Sequence, residues 1–326
     1  MKRGFTLIEV VCTTAIVAIL AGIAIVAMHF VSQSVKADRT DATIAKIDTY
    51  LSSMYEGYEQ RRLPNLVSPT FAPIPASNRN AELNGRRLDA VRDLMRMEMP
   101  DRWSDVTNGP LVFLWSSGLP WIDKKPHNAI KIQTRYERAK NLLLTKFSLV
   151  KAEEILNANA SAKLLYLVVT AYDPEAPEQF REDEISRHTE DELPVFVDGW
   201  GNPIRFLRWA PGLDQSEIQP AVVPIDDPAS RKKAFELVSD PLNPTNTARQ
   251  GLLTAPYTTE VGWKLLPIIY SAGPDEGYGI YDSTNYTYLG NPYHLFTNQT
   301  PICSLGSPTD NSRYDNITNH WYRLRQ

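Results

Sequence analysis

From residue 10 to residue 31 the chain carries no formally charged side chain. Ile, Val, Ala and Leu dominate this run, and Thr13, Thr14, Gly22 and His29 are its mild exceptions. As a helix the run would rise about 33 Å at 1.5 Å per residue, enough to cross the roughly 30 Å hydrocarbon core of a bilayer. Lys2 and Arg3 stand just before it, and basic residues mark the cytoplasmic side of a span. The expected location is the cytoplasmic (inner) membrane, single-pass, with the bulk of the chain periplasmic. A secretory signal has an apolar stretch of only about 7–15 residues followed by a small-x-small cleavage site, so this longer run reads as retained.

Around that anchor the composition is ordinary. The chain has 326 residues, which allows one elaborated domain or two ordinary ones. Its 34 basic and 38 acidic residues give a net charge of −4, which argues against nucleic acid as a partner, because such binding needs a basic footprint. Two cysteines, Cys12 in the apolar run and Cys303 far downstream, exclude a disulfide scaffold.

Glu9 stands at the head of the apolar stretch. A carboxylate at membrane depth costs several kcal/mol unless it is paired, so it marks function more often than structure. The alternative is a carboxylate near enough to the interface to reach water, at a helix N-terminus that favours negative charge. The neighbours decide. Gly4-Phe5-Thr6-Leu7-Ile8-Glu9 behind a basic leader resembles the leader motif of type IV pilins and type II secretion pseudopilins. The resemblance implies that a prepilin peptidase cuts between Gly4 and Phe5 and methylates the new amine of Phe5. It also implies that Glu9 of one subunit pairs with the amine of a neighbour, so that assembly into a filament removes the cost of two separate buried charges.

Helical spacing continues beyond the membrane. Ile44, Ile47, Leu51, Met54 and Tyr58 recur at steps of three and four, with Asp41, Lys46, Asp48 and Glu56 off the stripe. Pro64 ends the pattern. One helix from about residue 5 to 61 is expected, with two helices hinged at residues 32–39 as the alternative. Residues 63–80 contain four prolines and read as a loop. A short helix is expected around Leu88, Val91, Leu94 and Met95, closed by Pro100, and irregular structure or short strands over residues 103–126. Residues 133–160 have helical spacing. Residues 164–170 suit either a continuation of that helix or a buried strand. The acid-rich stretch 173–192 reads as a solvated loop.

Asp198-Gly199-Trp200-Gly201-Asn202-Pro203 reads as a turn leading into a strand, and Leu266-Pro267-Ile268-Ile269-Tyr270-Ser271 as a second strand. These blocks, with Ala272-Gly273-Pro274-Asp275-Glu276-Gly277 and the closing Asp315-Asn316-Ile317-Thr318-Asn319-His320-Trp321, resemble the major (G-type) pseudopilin family. The resemblance covers about residues 1–60, 195–210 and 266–321. It implies an α+β, pilin-like fold: a long N-terminal helix packed on a small antiparallel sheet, here with a large helical and loop insertion. The expected organisation is a leader at 1–4, a transmembrane helical half at 5–31, a periplasmic half at 32–62, the insertion at 63–194 and a β region at 195–326.

The same family holds calcium in its late loop, and the positions that match are Asp275, Asp315 and Asn316. Asn316 stands where the family has a second acid, which removes one charge; Asp282 and Asp310 are substitutes. No EF-hand spacing is present. The five histidines show no HExxH arrangement, and neither a GxSxG elbow nor a phosphate-binding glycine loop occurs. The chain is therefore expected to be a structural subunit and not an enzyme. As the resemblance implies, it polymerises with its own copies and other pseudopilins into a type II secretion pseudopilus for protein transport, with prepilin peptidase, the inner-membrane assembly platform and the membrane as partners. A type IV pilus major or minor pilin, and a membrane-anchored periplasmic binding module or enzyme, are the alternatives.

Overall fold

The computed structural model describes residues 7–61, 63, 79–110, 124–187, 190–220, 228–243, 262–282 and 305–321. Most of the expected loop at 63–80, the leader and the segment 283–304 lie outside them.

Helix α1, Leu7–Glu59, is continuous over 53 residues, about 80 Å of rise. No hinge interrupts it at residues 32–39. Its two halves differ in burial. Through residue 32 every described side chain is exposed, including Ile16, Leu20, Ile23 and Phe30. Here the polar hydroxyls turn inward on the helix: Thr13 donates to the Glu9 carbonyl at 2.9 Å and Thr14 to that of Val10 at 3.0 Å. That removes a donor which lipid cannot satisfy. The second half buries Ala37, Ile44, Ile47, Leu51, Met54 and Tyr58, the expected stripe, together with Tyr55.

The globular part folds around that stripe. Helix α2 (Arg79–Glu98) is longer than the short helix expected and begins inside the stretch read as loop. Helix α3 (Trp103–Thr107) replaces the irregular start expected there, because Trp103 anchors it: its indole donates to the Leu156 carbonyl at 2.9 Å and its ring lies 4.8 Å from Tyr136. Helix α4 (His127–Lys146) and α5 (Leu149–Asn157) are separate elements, since Ser148 caps α5 by accepting from the Lys151 amide. Residues 164–170 belong to helix α6 (Ala160–Tyr172) and not to a strand. Every residue of α6 from Ala162 to Ala171 is buried, which suits a helix apolar on all sides.

Two small antiparallel sheets complete the α+β architecture. Strand β1 (Ile185–Ser186) pairs with β2 (Val195–Phe196), with Ile185 opposite Phe196. Strand β3 (Arg205–Leu207) pairs with the later β4 (Ile268–Tyr270), with Phe206 opposite Ile269. Between these last two in sequence, helix α7 (Pro228–Leu237) lies mostly on the surface. One core joins α1, α2, α4, α6 and both sheets through Leu51, Met95, Ile132, Leu165, Phe196, Phe206 and Ile269. Helices from residues 63–194 thus build the same core as the spine and the β region.

The acid-rich stretch departs from its reading as a solvated loop. It forms two 3-10 turns, Ala176–Gln179 and Glu182–Glu184, then β1, and it buries two of its acids. Glu184 accepts from Thr43 at 3.0 Å and Lys46 at 2.8 Å on α1 and from the Arg181 amide. Burial pushes its carboxyl up, but these bonds outweigh that and hold it below its ordinary value. Asp191 pairs with buried Lys163. Each acid went inside because a cation on a helix already stood there.

Candidate functional site

Gly4 and Phe5 lie outside the described residues. Glu9 lies in the first turn of α1 and is exposed, on the part of the helix whose apolar side chains no other element among the described residues covers. Among the described residues α1 is the one helix long and apolar enough to cross a membrane by length and composition.

Among the described residues, the first element to touch the helix beyond its bare half is the turn at residues 198–202. Asp198, 4% exposed, organises it. One carboxylate oxygen accepts from the amides of Trp200 (2.9 Å) and Asn202 (2.8 Å), and the other accepts from the Ser271 hydroxyl at 2.7 Å. A carboxylate so surrounded is a strong acceptor and fixes the loop. Asn202 then donates to the Gly273 carbonyl at 3.0 Å, tying the turn to the segment after β4.

This turn presses against the helix backbone. A Cβ on Gly199 would lie 2.4 Å from the Lys36 carbonyl oxygen and 2.8 Å from the Lys36 Cα, so only hydrogen fits there. The Gly199 amide donates to the Thr40 hydroxyl at 2.9 Å, and the Trp200 indole donates to the Gln33 side chain at 2.6 Å. Higher up, Asn319 of the closing segment donates to Asp48 at 2.7 Å and accepts from the Ile269 amide at 2.8 Å. The turn is legible in the sequence and its target is not: an Asp followed by Gly-x-Gly-Asn announces an Asx-type turn, whereas Gln33, Lys36 and Thr40 carry no pattern that marks them.

The expected calcium positions fall at a second junction. The 3-10 turn Gly273–Asp275 packs against the 3-10 turn Asn311–Asp315. Gly273 has φ +70°, and a Cβ there would meet the Asp315 carbonyl oxygen at 2.7 Å. Burial and then the charge of Asp275 push the Asp315 carboxyl above its ordinary value. Asn316 is 4% exposed; its amide nitrogen donates to the Tyr278 carbonyl at 2.5 Å, while its buried Oδ1 accepts no hydrogen bond. Asp275, which accepts from the Gly277 amide at 2.8 Å, and Asp315 repel one another, and Asn316, next in sequence, has an unsatisfied buried oxygen; these are the oxygen donor types a hard cation takes, and carbonyls or water would complete the set. Among the described residues no three His, Cys, Asp or Glu side chains gather as a metal site, so the set depends on Asn316. The substitutes are committed elsewhere: Asp282 pairs with Arg205 at 3.1 Å, and Asp310 caps its turn through Ser312.

The remaining histidine of the closing segment is structural. His320 is fully buried, donates from Nε2 to the Pro267 carbonyl at 3.1 Å and faces the Ser216 hydroxyl with Nδ1 at 3.0 Å. Burial pushes it down to about 4, so the ring is neutral at neutral pH.

No curated protein and no solved structure matches the chain. Residues 1–25 match the model of the prokaryotic N-terminal methylation motif. With the long apolar helix and the small antiparallel sheets, that motif supports a type IV pilin-like family, with processing by prepilin peptidase, membrane anchoring and assembly into polymers as what the motif implies.

Proposed function

We propose that the protein is a structural subunit of a type II secretion pseudopilus, cut after Gly4, methylated at Phe5 and polymerised through α1 to drive protein export. The observation that carries this reading is the division of one unbroken helix into a bare apolar half and a half buried in the domain, behind a methylation motif. An exposed helix face of that length needs lipid or neighbouring helices to cover it. Before assembly lipid covers it, and in the filament neighbouring copies do. Glu9 then neutralises the Phe5 amine of the next subunit and sets the axial register. The Trp200 turn and the Gly273 region, where they match the major pseudopilin pattern, favour a secretion subunit over a pilus pilin.

Glu9→Ala should leave the protein in the membrane fraction and reduce its recovery in sheared filaments at least tenfold, read by immunoblot. Undiminished filament recovery would contradict the assembly role and favour a tethered module.

Calcium at Asp275, Asp315 and Asn316 is part of this proposal. A bound cation would neutralise the two carboxylates and brace residues 271–277 against 311–316. Thermal melts of the full chain in detergent should rise by several degrees with millimolar calcium, and Asp315→Asn should abolish the rise. An unchanged melt at that concentration removes calcium from the account.

A further inference from the structure

The turn at residues 198–202 meets α1 at a particular height. Trp200 bonds to Gln33, two residues past Val31 at the end of the apolar run, or about 3 Å along the axis. The headgroup layer adds roughly 5–8 Å to each side of the hydrocarbon core. With the apolar run in the core, the Trp200 ring therefore lies at the level where hydrocarbon gives way to headgroups. The ring is half-buried and partly packed against the core, and its N–H is already satisfied by Gln33; Phe30, one turn toward the membrane on the same face of α1, is 69% exposed. Lys36, half-buried, stands about 4–5 Å farther out, where its amine reaches headgroup phosphates.

We propose that the turn at residues 198–202 is a membrane-contact element: Trp200, one turn beyond Phe30 and beside Lys36, rests in the interfacial layer of the phospholipid bilayer and fixes how deep the unassembled subunit sits. Tryptophan is enriched at that depth because its body is apolar and its edge polar. A depth gauge must also be rigid, and this one is. Gly199 locks against the Lys36 backbone, its amide is bonded to Thr40, and Asp198 holds the turn from behind, so the indole cannot slide along the helix. This inference rests on the membrane placement of α1 in the proposed function.

The test uses the full chain reconstituted in phosphatidylethanolamine–phosphatidylglycerol vesicles whose acyl chains carry bromine either near the ester end or near the methyl end. Flotation reports anchoring, and quenching of tryptophan emission reports contact. The expected result is co-flotation, with quenching stronger for bromine near the ester end, and loss of most of that quenching in Trp200→Phe. Protein that does not float overturns the membrane placement itself. Protein that floats while wild-type emission is unquenched overturns the contact element alone, whatever the variant does. Quenching that persists undiminished in a folded Trp200→Phe also overturns it, since another tryptophan then makes the contact.

Discussion

Replacing Arg208 with Met should lower the melting temperature of the full chain in detergent by on the order of 10 °C. Arg208 is fully buried among charges drawn from three parts of the chain. Its guanidinium donates to the Met99 carbonyl at 2.9 Å and the Asp105 carboxylate at 3.0 Å, and lies 4.5 Å from the Trp209 ring. Its backbone amide donates to Asp101 at 3.2 Å. Around it, Arg102 pairs with Asp101 at 3.0 Å and Arg96 with Asp93 at 2.8 Å, all of them buried. Removing one partner from such a network leaves uncompensated carboxylates in a low dielectric, which costs about 3–5 kcal/mol. For a domain of this size each kcal/mol lowers the melting temperature by about 2–4 °C.

The pH dependence of that loss has a definite sign. In the native protein burial pushes Asp101 up, but Arg208 and Arg102 outweigh it and hold the carboxyl at about 2. A depressed carboxylate contributes stability that is present above its unfolded value near 3.8 and disappears as pH falls through about 2. Asp105 moves the other way: burial raises it, and Arg208 and Arg102 only partly compensate. Without Arg208 both carboxyls rise, so protonation relieves the variant before it affects wild type. The gap between the two melting temperatures should therefore be widest near neutral pH and narrow toward pH 4. A gap independent of pH would mean that lost packing, not charge, carries the cost.

Gly199→Val should detach the 198–202 turn from α1, at a cost of about 3–5 kcal/mol. Overpacking of a close contact costs about 1–3 kcal/mol, and the lost hydrogen bonds to Thr40 and Gln33 add about 1 kcal/mol each. The clash is with helix backbone at Lys36, which has no rotamer by which to yield. Thermal melts read the cost, and a red shift in tryptophan emission reads release of Trp200 from the helix. Glycine at position 201, by contrast, is required by its own backbone, φ +95°, and its missing side chain meets nothing within 4 Å.

Much of this was legible in the sequence, and what was not has a common cause. The stripe on α1 could be read because one face repeats at 3.6 residues, and Ile44, Ile47, Leu51 and Met54 do bury. Strands β3 and β4 could be read from short apolar runs beside turn residues. Burial of Glu184, Asp191, Arg96 and Arg208 could not, because composition places such residues in water and only tertiary partners reverse that. Helix α6 could not be separated from a buried strand, since a helix buried on every side has no polar face to set its period. The break between α4 and α5 did leave a signal, Ser148 as a cap, that the apolar spacing across it concealed.

The central claim is that the chain is processed as a prepilin and keeps its apolar helix. Intact-mass and N-terminal peptide mass spectrometry on protein purified from membranes of cells that contain a prepilin peptidase tests it most directly. The account predicts a mature chain that begins at Phe5 and carries one methyl group on its amine. A chain that still begins with Met1, or one that begins downstream of the apolar run, would contradict it.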